Sequence, residues 1–216
     1  MNATDLFLSD SNNFRNCENF WSSLFAVQVL DASHSGIELE IPVFVYTEDE
    51  DETRWLFEPD EPLIVPGYLA FSSVTVEGKL RTGCIPGIAA ELPHEFHELR
   101  PDVIFLWANT VSVVETKTVG ANISEKECLY VKLCQWFTEN DRTADAYLLL
   151  SAGHQPDWQV RMLAKEEWRG PKKLILWEKF FETIETYVPN SLMSRLIPNL
   201  NQYYQPDGGY LQGNFS

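Results

Sequence analysis

Two apolar runs that follow each other between residues 100 and 118, in RPDVIFLWANTVSVVETKT, constrain the fold of this chain more than any other feature. The runs VIFLWA and VSVV are short, lack Pro and Gly, and are rich in β-branched and aromatic residues, as is typical of buried strands. The polar pair Asn109-Thr110 between them suits a tight hairpin. The sequence therefore predicts two antiparallel strands over 102–108 and 111–118.

The rest of the chain alternates between helical and extended patterns around this hairpin. In chain order, we expect a helix over 14–30, a strand over 37–46, strands and turns over 55–83, the hairpin, a helix over 123–140, a strand over 145–154, a strand or edge near 159–164 and an amphipathic helix over 174–188. Ser124, followed three residues later by Glu127, predicts a capping box at the start of the 123–140 helix. This order predicts an α/β fold with a mixed β-sheet core flanked by α-helices.

The length of 216 residues fits one domain, and 44% hydrophobic residues suffice for a packed core. We expect the core of that single domain at about 14–188, with an acidic insertion at about 47–62 and a C-terminal tail at about 198–216. The longest apolar run is too short to cross a bilayer, and no basic and apolar leader opens the chain, so we expect no membrane partner. The scattered cysteines lack metal-site spacing, which favours reduced thiols in a cytoplasmic protein.

The chain is strongly acidic, with a formal net charge of −16. Part of this charge is local, because residues 48–61 hold eight acids and one arginine, but the rest is spread along the sequence. Such a charge repels phosphate backbones, so it excludes tight nucleic-acid binding that depends on a basic surface alone. If the chain acts on nucleic acid, a basic partner protein would help to deliver it.

Three charged residues flank the apolar runs, where unpaired charges are costly. Antiparallel pairing brings the start of one strand, with Asp102, to the end of the other, with Glu115. Lys117 lies two residues after Glu115 and therefore points to the same face. Two carboxylates and one ammonium at one sheet end suit Mg²⁺-assisted chemistry on a phosphate, since Mg²⁺ prefers carboxylate oxygens.

Pro101-Asp102, a twelve-residue gap and then Glu115-Thr116-Lys117 resemble the motif of the PD-(D/E)XK nuclease superfamily. The resemblance implies a restriction-endonuclease-like fold and metal-dependent hydrolysis of phosphodiester bonds with Mg²⁺ or Mn²⁺. It implies that Asp102 and Glu115 bind the metal, with the Thr116 carbonyl as a further oxygen ligand. Lys117 is then expected to orient the attacking water and to stabilise the transition state.

The resemblance covers about 14–154 and extends to the flanking helices. Glu18 matches the glutamate that the family carries on the helix before the sheet, which implies a further metal ligand or a water-binding group. Gln135, with Lys132 one turn before it, matches the polar residue that the family often directs to the site from the helix after the lysine.

Each of these residues also has an ordinary structural interpretation. Asp102 alone is typical of a turn after proline, and Glu115 with Lys117 could form a cross-strand ion pair of little energetic value. Glu18 could be a first-turn acid favoured by the helix dipole, and Gln135 could be a solvated helix residue. The set of three at one strand end, followed by a helix, favours chemistry.

The sequence contains a second acid-x-Lys pattern, Pro59-Asp60 followed by Glu77-Gly78-Lys79. It lies at a glycine turn in a half-exposed alternating strand, where charges cost little. We therefore assign the site to the later set.

Three functional hypotheses follow. The first is a metal-dependent endonuclease, with DNA favoured over RNA and a homodimer as a possible form. The second is a nuclease-fold binding or assembly module with little or no activity that depends on a partner, which the negative charge favours. The third is a small-molecule hydrolase that uses the same carboxylates, but no nucleophile elbow, phosphate-cradling loop or dinucleotide fingerprint is present.

Overall fold

A computed structural model describes residues 18–48, 55–76, 91–117, 123–124, 127–151 and 172–189. Its elements are α1 Glu18–His34, β1 Leu39–Glu48, β2 Trp55–Val65, β3 Ser73–Val76, a 3-10 turn His94–Phe96, β4 Val103–Trp107, β5 Thr110–Thr116, α2 Cys128–Glu139, β6 Thr143–Leu150, β7 Lys172–Leu176 and α3 Trp177–Tyr187.

Within the described residues, seven strands form one mixed sheet in the order β2-β1-β7-β6-β5-β4-β3. The central strands β5, β6 and β7 are parallel, and the other pairs are antiparallel. Three helices in the described part of the chain flank this sheet, so the predicted mixed α/β architecture is confirmed.

The hairpin of β4 and β5 is confirmed, but its loop is one residue earlier than predicted. Trp107 pairs directly with Thr110, so the loop consists of Ala108 and Asn109. Thr110 is β-branched and joins the ladder, whereas Ala108 turns the chain with a φ of 44°. At the other end of the hairpin the last pair is Val103 with Val114, which leaves Asp102 next to Glu115.

The helices follow the predicted pattern with shifted bounds. α1 runs to His34, beyond the predicted end, and the predicted start at 14–17 lies outside the described residues. α2 begins at Cys128 rather than at 123. The predicted helix over 174–188 was wrong at its start, because residues 172–176 form β7. This strand pairs with β6 on one side and β1 on the other, and such pairing outweighs the helical pattern of the sequence.

The sheet separates two apolar cores. The α1 side is packed with residues of α1, α3 and every second strand position: Trp21, Phe25, Val29, Phe180, Phe181, Ile184, Val103, Phe105, Val114, Leu149 and Ile175. The α2 side is packed with Tyr130, Leu133, Cys134, Phe137, Ile104, Leu106, Val113, Ala146, Phe96 and Leu99. Each helix therefore covers one face of the sheet. A side chain at the end of a strand contacts α1 and α3 or α2, depending on the face to which it points.

Some predicted features lie partly or wholly outside the described residues. The strand near 159–164 and the tail at 198–216 are outside them, and so is part of the acidic insertion. Residues 55–62 of that insertion lie in β2, an edge strand paired with β1. None of the helices described here is both long and apolar enough to cross a membrane.

Candidate functional site

The candidate site lies where β4 begins and β5 ends, between the first turns of α1 and α2. Side chains alternate along β5, so Val113 faces the α2 core and Val114 faces the α1 core. By the same alternation Glu115 and Lys117 point to α2, while Thr116 points to α1. The last residues of one strand thus reach both helices.

Asp102 is fixed by Thr116. The Oδ2 atom of Asp102 accepts hydrogen bonds from the Thr116 backbone N–H and from its Oγ1, both at 2.7 Å. Thr116 Oγ1 also lies 2.8 Å from Ser22 Oγ on α1. Ser22 in turn donates to the backbone carbonyl of Glu18, at 2.7 Å. Thr116 therefore connects the aspartate to the helix that carries Glu18.

Lys117 is held by two carboxylates on the other face. Its Nζ lies 2.8 Å from Glu115 Oε1 and 2.9 Å from Glu127 Oε1. The side chains of Lys117, Glu115 and Glu127 are only 7%, 12% and 4% exposed. The backbone is fixed as well, since Lys117 N donates to Leu149 O at 2.8 Å and Trp177 Nε1 donates to Lys117 O at 3.2 Å.

Burial and mutual charge shift the ionisation of these groups. Burial, reinforced by the charge of Asp102 and opposed by Lys117, raises the pKa of Glu115 to about 7. Burial alone would lower the pKa of Lys117, but the charges of Glu115 and Glu127 outweigh it and raise that pKa above its ordinary value. The ammonium therefore keeps its proton at neutral pH, while Glu115 titrates there.

Glu18 belongs to the same electrostatic environment. Burial raises the pKa of Glu18, the ammonium of Lys117 opposes this rise, and the charges of Asp102 and Glu127 add to it. We call Glu18, Asp102, Glu115, Lys117 and Glu127 the Lys117 cluster. It contains four carboxyl groups and one ammonium.

Two carboxylates of the Lys117 cluster each have a buried oxygen atom that does not contact Lys117. Among the described residues, Glu115 Oε2 and Glu127 Oε2 make no geometric hydrogen bond, although the Tyr130 hydroxyl interacts with Glu115. A buried unpaired carboxylate oxygen is costly unless something satisfies it. In the part of the chain that the structure describes, no three His, Cys, Asp or Glu side chains form a ready-made metal-binding group. The donor chemistry nevertheless fits a hard cation such as Mg²⁺, since carboxylate oxygens are its preferred ligands.

The structure brings together most of the residues that the sequence singles out. Asp102 contacts Thr116, and Glu115 contacts Lys117. Asp102 lies within electrostatic reach of Glu115 and of Glu18. Gln135 is different, because its side chain is exposed, as is that of Lys132. The buried residues near the start of α2 that interact with the cluster are instead Glu127, which directly precedes the helix, and Tyr130.

Glu127 was misassigned from the sequence. The predicted capping box would turn its carboxylate back to the Ser124 backbone, but that carboxylate pairs with Lys117 instead. The only bond between the two residues that the structure records joins Glu127 N to Ser124 O, at 3.1 Å. The sequence did contain a signal for this ion pair, namely a glutamate at the start of the helix that follows the strand with Lys117. We interpreted that glutamate as part of a capping box and therefore did not assign it to the site.

The second acid-x-Lys pattern leads to a separate polar group. Asp60 pairs with Lys173, at 3.6 Å between Oδ2 and Nζ. Glu77 and Lys79 lie outside the described residues. Burial raises the pKa of the nearby Asp145, with Lys173 opposing the rise. We call Asp60, Asp145 and Lys173 the Lys173 cluster.

In comparisons with known proteins, no family model, no curated protein and no solved structure matches this chain.

Proposed function

We propose that this chain is a Mg²⁺- or Mn²⁺-dependent nuclease with a restriction-endonuclease-like fold, which hydrolyses phosphodiester bonds of DNA in preference to RNA. One observation carries the proposal. Glu115 and Lys117 form a buried pair at the end of a central strand, close enough to Asp102 for its charge to help raise the pKa of Glu115. Perturbed, buried titratable groups of this kind cluster at functional sites.

The residues that would hold the metal are Asp102, Glu115 and Glu18, with the Thr116 carbonyl as a further oxygen donor. Asp102 is oriented for this task, because both of its hydrogen bonds from Thr116 use Oδ2. When bound, the metal supplies Lewis-acid stabilisation of the negative charge that develops on the phosphate. Its positive charge also offsets the repulsion between the carboxylates and the phosphate of the substrate.

Lys117 supplies a fixed positive charge at the same place. Its ammonium donates hydrogen bonds and can orient a water molecule or stabilise charge that develops on a phosphate oxygen. Because its raised pKa keeps it protonated, it acts as an electrostatic and hydrogen-bonding group rather than as a base. Its backbone bonds to Leu149 and Trp177 limit movement, and such preorganisation favours catalysis.

A cleavage assay with the purified chain tests this proposal. Linear duplex, supercoiled and single-stranded DNA, and RNA, are incubated at low salt with Mg²⁺, with Mn²⁺ or with a chelator. We expect cleavage of at least one substrate that requires metal and is lost in Glu115→Gln. Glu182→Gln, which alters an exposed Glu–Lys pair on α3, is the matched control and is expected to cleave as the parent does. Cleavage that persists in the chelator or in Glu115→Gln would sink the proposal.

A second candidate is a binding or assembly module with the same fold and no activity. The net charge of −16 favours it, because the chain repels free nucleic acid. The two functions differ in their response to metal. A ligand that binds only the folded state raises the melting temperature, so a Mg²⁺-dependent rise supports the nuclease and a constant melting temperature at high Mg²⁺ supports the module.

A further inference from the structure

Glu127 is the most deeply buried carboxylate of the Lys117 cluster and has no part in the mechanism above. Its side chain is 4% exposed, and its Oε1 lies 2.9 Å from Lys117 Nζ. It stands at the N-terminus of α2, on a different element from Glu115. Lys117 therefore has two carboxylate partners that are held by independent parts of the fold.

Glu115 and Glu127, the two partners of Lys117, have different roles in the proposed reaction. Glu115 is both a proposed metal ligand and a partner of Lys117. A cation held at Glu115 would weaken the attraction of Glu115 for the ammonium and would repel the ammonium directly. Glu127 is not among the proposed metal ligands, so its attraction for Lys117 does not depend on the metal. The lysine then stays at the site when Glu115 binds a cation.

We propose that Glu127 holds the ammonium of Lys117 at the site independently of Glu115, and that it is thereby a positioning residue for cleavage. This inference rests on the proposed function for its catalytic consequence, but the hold on Lys117 is a separate property. A stabilising role alone explains the arrangement poorly, because the cost of desolvating two buried charges offsets most of their attraction.

The position of Glu127 is itself fixed. Its backbone N–H donates to Ser124 O at 3.1 Å, and its carbonyl accepts a bond from Lys172 Nζ at 3.4 Å. Lys172 is buried and also lies over the Tyr130 ring, at 5.8 Å from its centroid. The backbone of Glu127 is therefore anchored from two sides, and its carboxylate is enclosed beside Lys117 with 4% exposure.

Kinetics of the parent, Glu127→Gln, Lys117→Met and the double variant test the positioning role. We expect Glu127→Gln to lower kcat by about 10- to 100-fold, as loss of an outer partner commonly does, with KM for DNA and the Mg²⁺ requirement unchanged. In the Lys117→Met background the same change should have no further effect, because Glu127 acts through the lysine. Glu182→Gln, which alters an exposed pair of 2.8 Å, is the control and should retain parental kcat.

Two kinetic outcomes would overturn the positioning role. Losses that multiply in the double variant would mean that Glu127 acts without Lys117. A loss confined to Mg²⁺ affinity would make Glu127 a metal ligand instead. Circular dichroism of each variant establishes that the compared proteins are folded.

The hold on Lys117 is measured without any nuclease activity. Nuclear magnetic resonance of the ¹⁵N-labelled lysine ammonium groups identifies the Lys117 signal by its absence from Lys117→Met. We expect this signal to be protected from exchange in the parent and in Glu182→Gln, and to broaden or vanish in Glu127→Gln. An unchanged signal in Glu127→Gln overturns the inference. A parent that cleaves no substrate but shows the expected signals refutes the proposed function while supporting the hold.

Discussion

The Lys117 cluster and the Lys173 cluster each combine carboxyl groups with one lysine ammonium but differ in burial. In the first, one ammonium is within 2.9 Å of two carboxylates that are 12% exposed or less. In the second, the ion pair is 3.6 Å long, and its lysine and aspartate are 18% and 32% exposed. Water screens the Asp60–Lys173 pair, so this pair contributes little to stability. The buried ion pairs of Lys117 lie in an environment of lower dielectric constant, where each charge interacts more strongly with its neighbours.

Position along the strands explains this difference. Glu115 and Lys117 lie at the carboxyl end of a central parallel strand, and helices cover both faces of the sheet beside it. Lys173 lies early in β7 and pairs across the sheet with Asp60 of β2, at the sheet edge. Ligand sites of open α/β sheets characteristically lie at the carboxyl ends of strands, which favours the first cluster as the site.

Replacing the lysine of each cluster by methionine is expected to give the largest difference between the clusters, measured as the rate of cleavage. Lys117→Met is expected to lower cleavage by more than about 100-fold, a loss typical for removing a preorganised group that stabilises transition-state charge. Lys173→Met removes an ammonium from the more exposed cluster and is expected to leave the rate nearly unchanged. Single-turnover cleavage rates in Mg²⁺ measure both effects. Equal losses in the two variants would show that general charge, not the site, determines activity.

Replacing Glu115 by glutamine tests whether burial raises the pKa of this residue, because a raised pKa makes the stability of the protein depend on pH. A glutamate in the unfolded chain loses its proton near its ordinary pKa of 4.5, whereas folded Glu115 keeps its proton up to about pH 7. Unfolding therefore releases a proton in that range, and the metal-free parent loses stability as the pH rises through it. Glu115→Gln lacks this loss, so it should gain up to about 3 kcal/mol relative to the parent by about pH 8.

Denaturant unfolding in a chelator, at several pH values, measures this gain. Asp145→Asn is the matched variant from the Lys173 cluster, and we expect it to alter the pH dependence less, because Asp145 lies in the more solvated environment. A parallel pH dependence of the parent and Glu115→Gln would contradict the raised pKa of Glu115.

The smallest contrast concerns one hydroxyl in each cluster. Thr116 Oγ1 donates to Asp102 at 2.7 Å, whereas the Tyr147 hydroxyl lies 3.5 Å from Asp145 Oδ2, which is too long for a strong bond. Thr116→Val should therefore cost about 2 kcal/mol of unfolding free energy, as for a lost hydrogen bond to a charge. Tyr147→Phe should cost under about 0.5 kcal/mol. Urea unfolding compares the two, and a larger cost for Tyr147→Phe would refute this ranking.

The hairpin and its charged ends could be predicted because they depend on local rules. The two-residue loop fixes the register, and strand alternation then puts Lys117 on the same face as Glu115. The errors there were the choice of loop residues and strand ends that differ from the prediction by one or two residues. Asp102 and Glu115 are neighbours because each lies directly beyond the last paired residues, Val103 and Val114, at the open end of the hairpin.

The contributions of α2 could not be predicted in the same way. Glu127 suits a capping box and an inward ion pair equally well in sequence, and only the packing of α2 against the sheet selects the second. Gln135 follows the buried Cys134 but lies off the apolar face that contains Leu133 and Phe137, so packing directs it to solvent. In β7, pairing with two neighbouring strands decided between strand and helix, and a single sequence carries no record of that pairing.

The alternation at the end of β5 has a consequence for the whole molecule. Glu115 and Lys117 are positioned by the core under α2, whereas Asp102 is positioned, through Thr116 and Ser22, by the core under α1. The geometry of the proposed site thus depends on how two separately packed layers are aligned. A cavity opened in either layer displaces one half of the site relative to the other. Substitutions far from the cluster should therefore misalign its residues at a smaller loss of stability than is needed to unfold the protein.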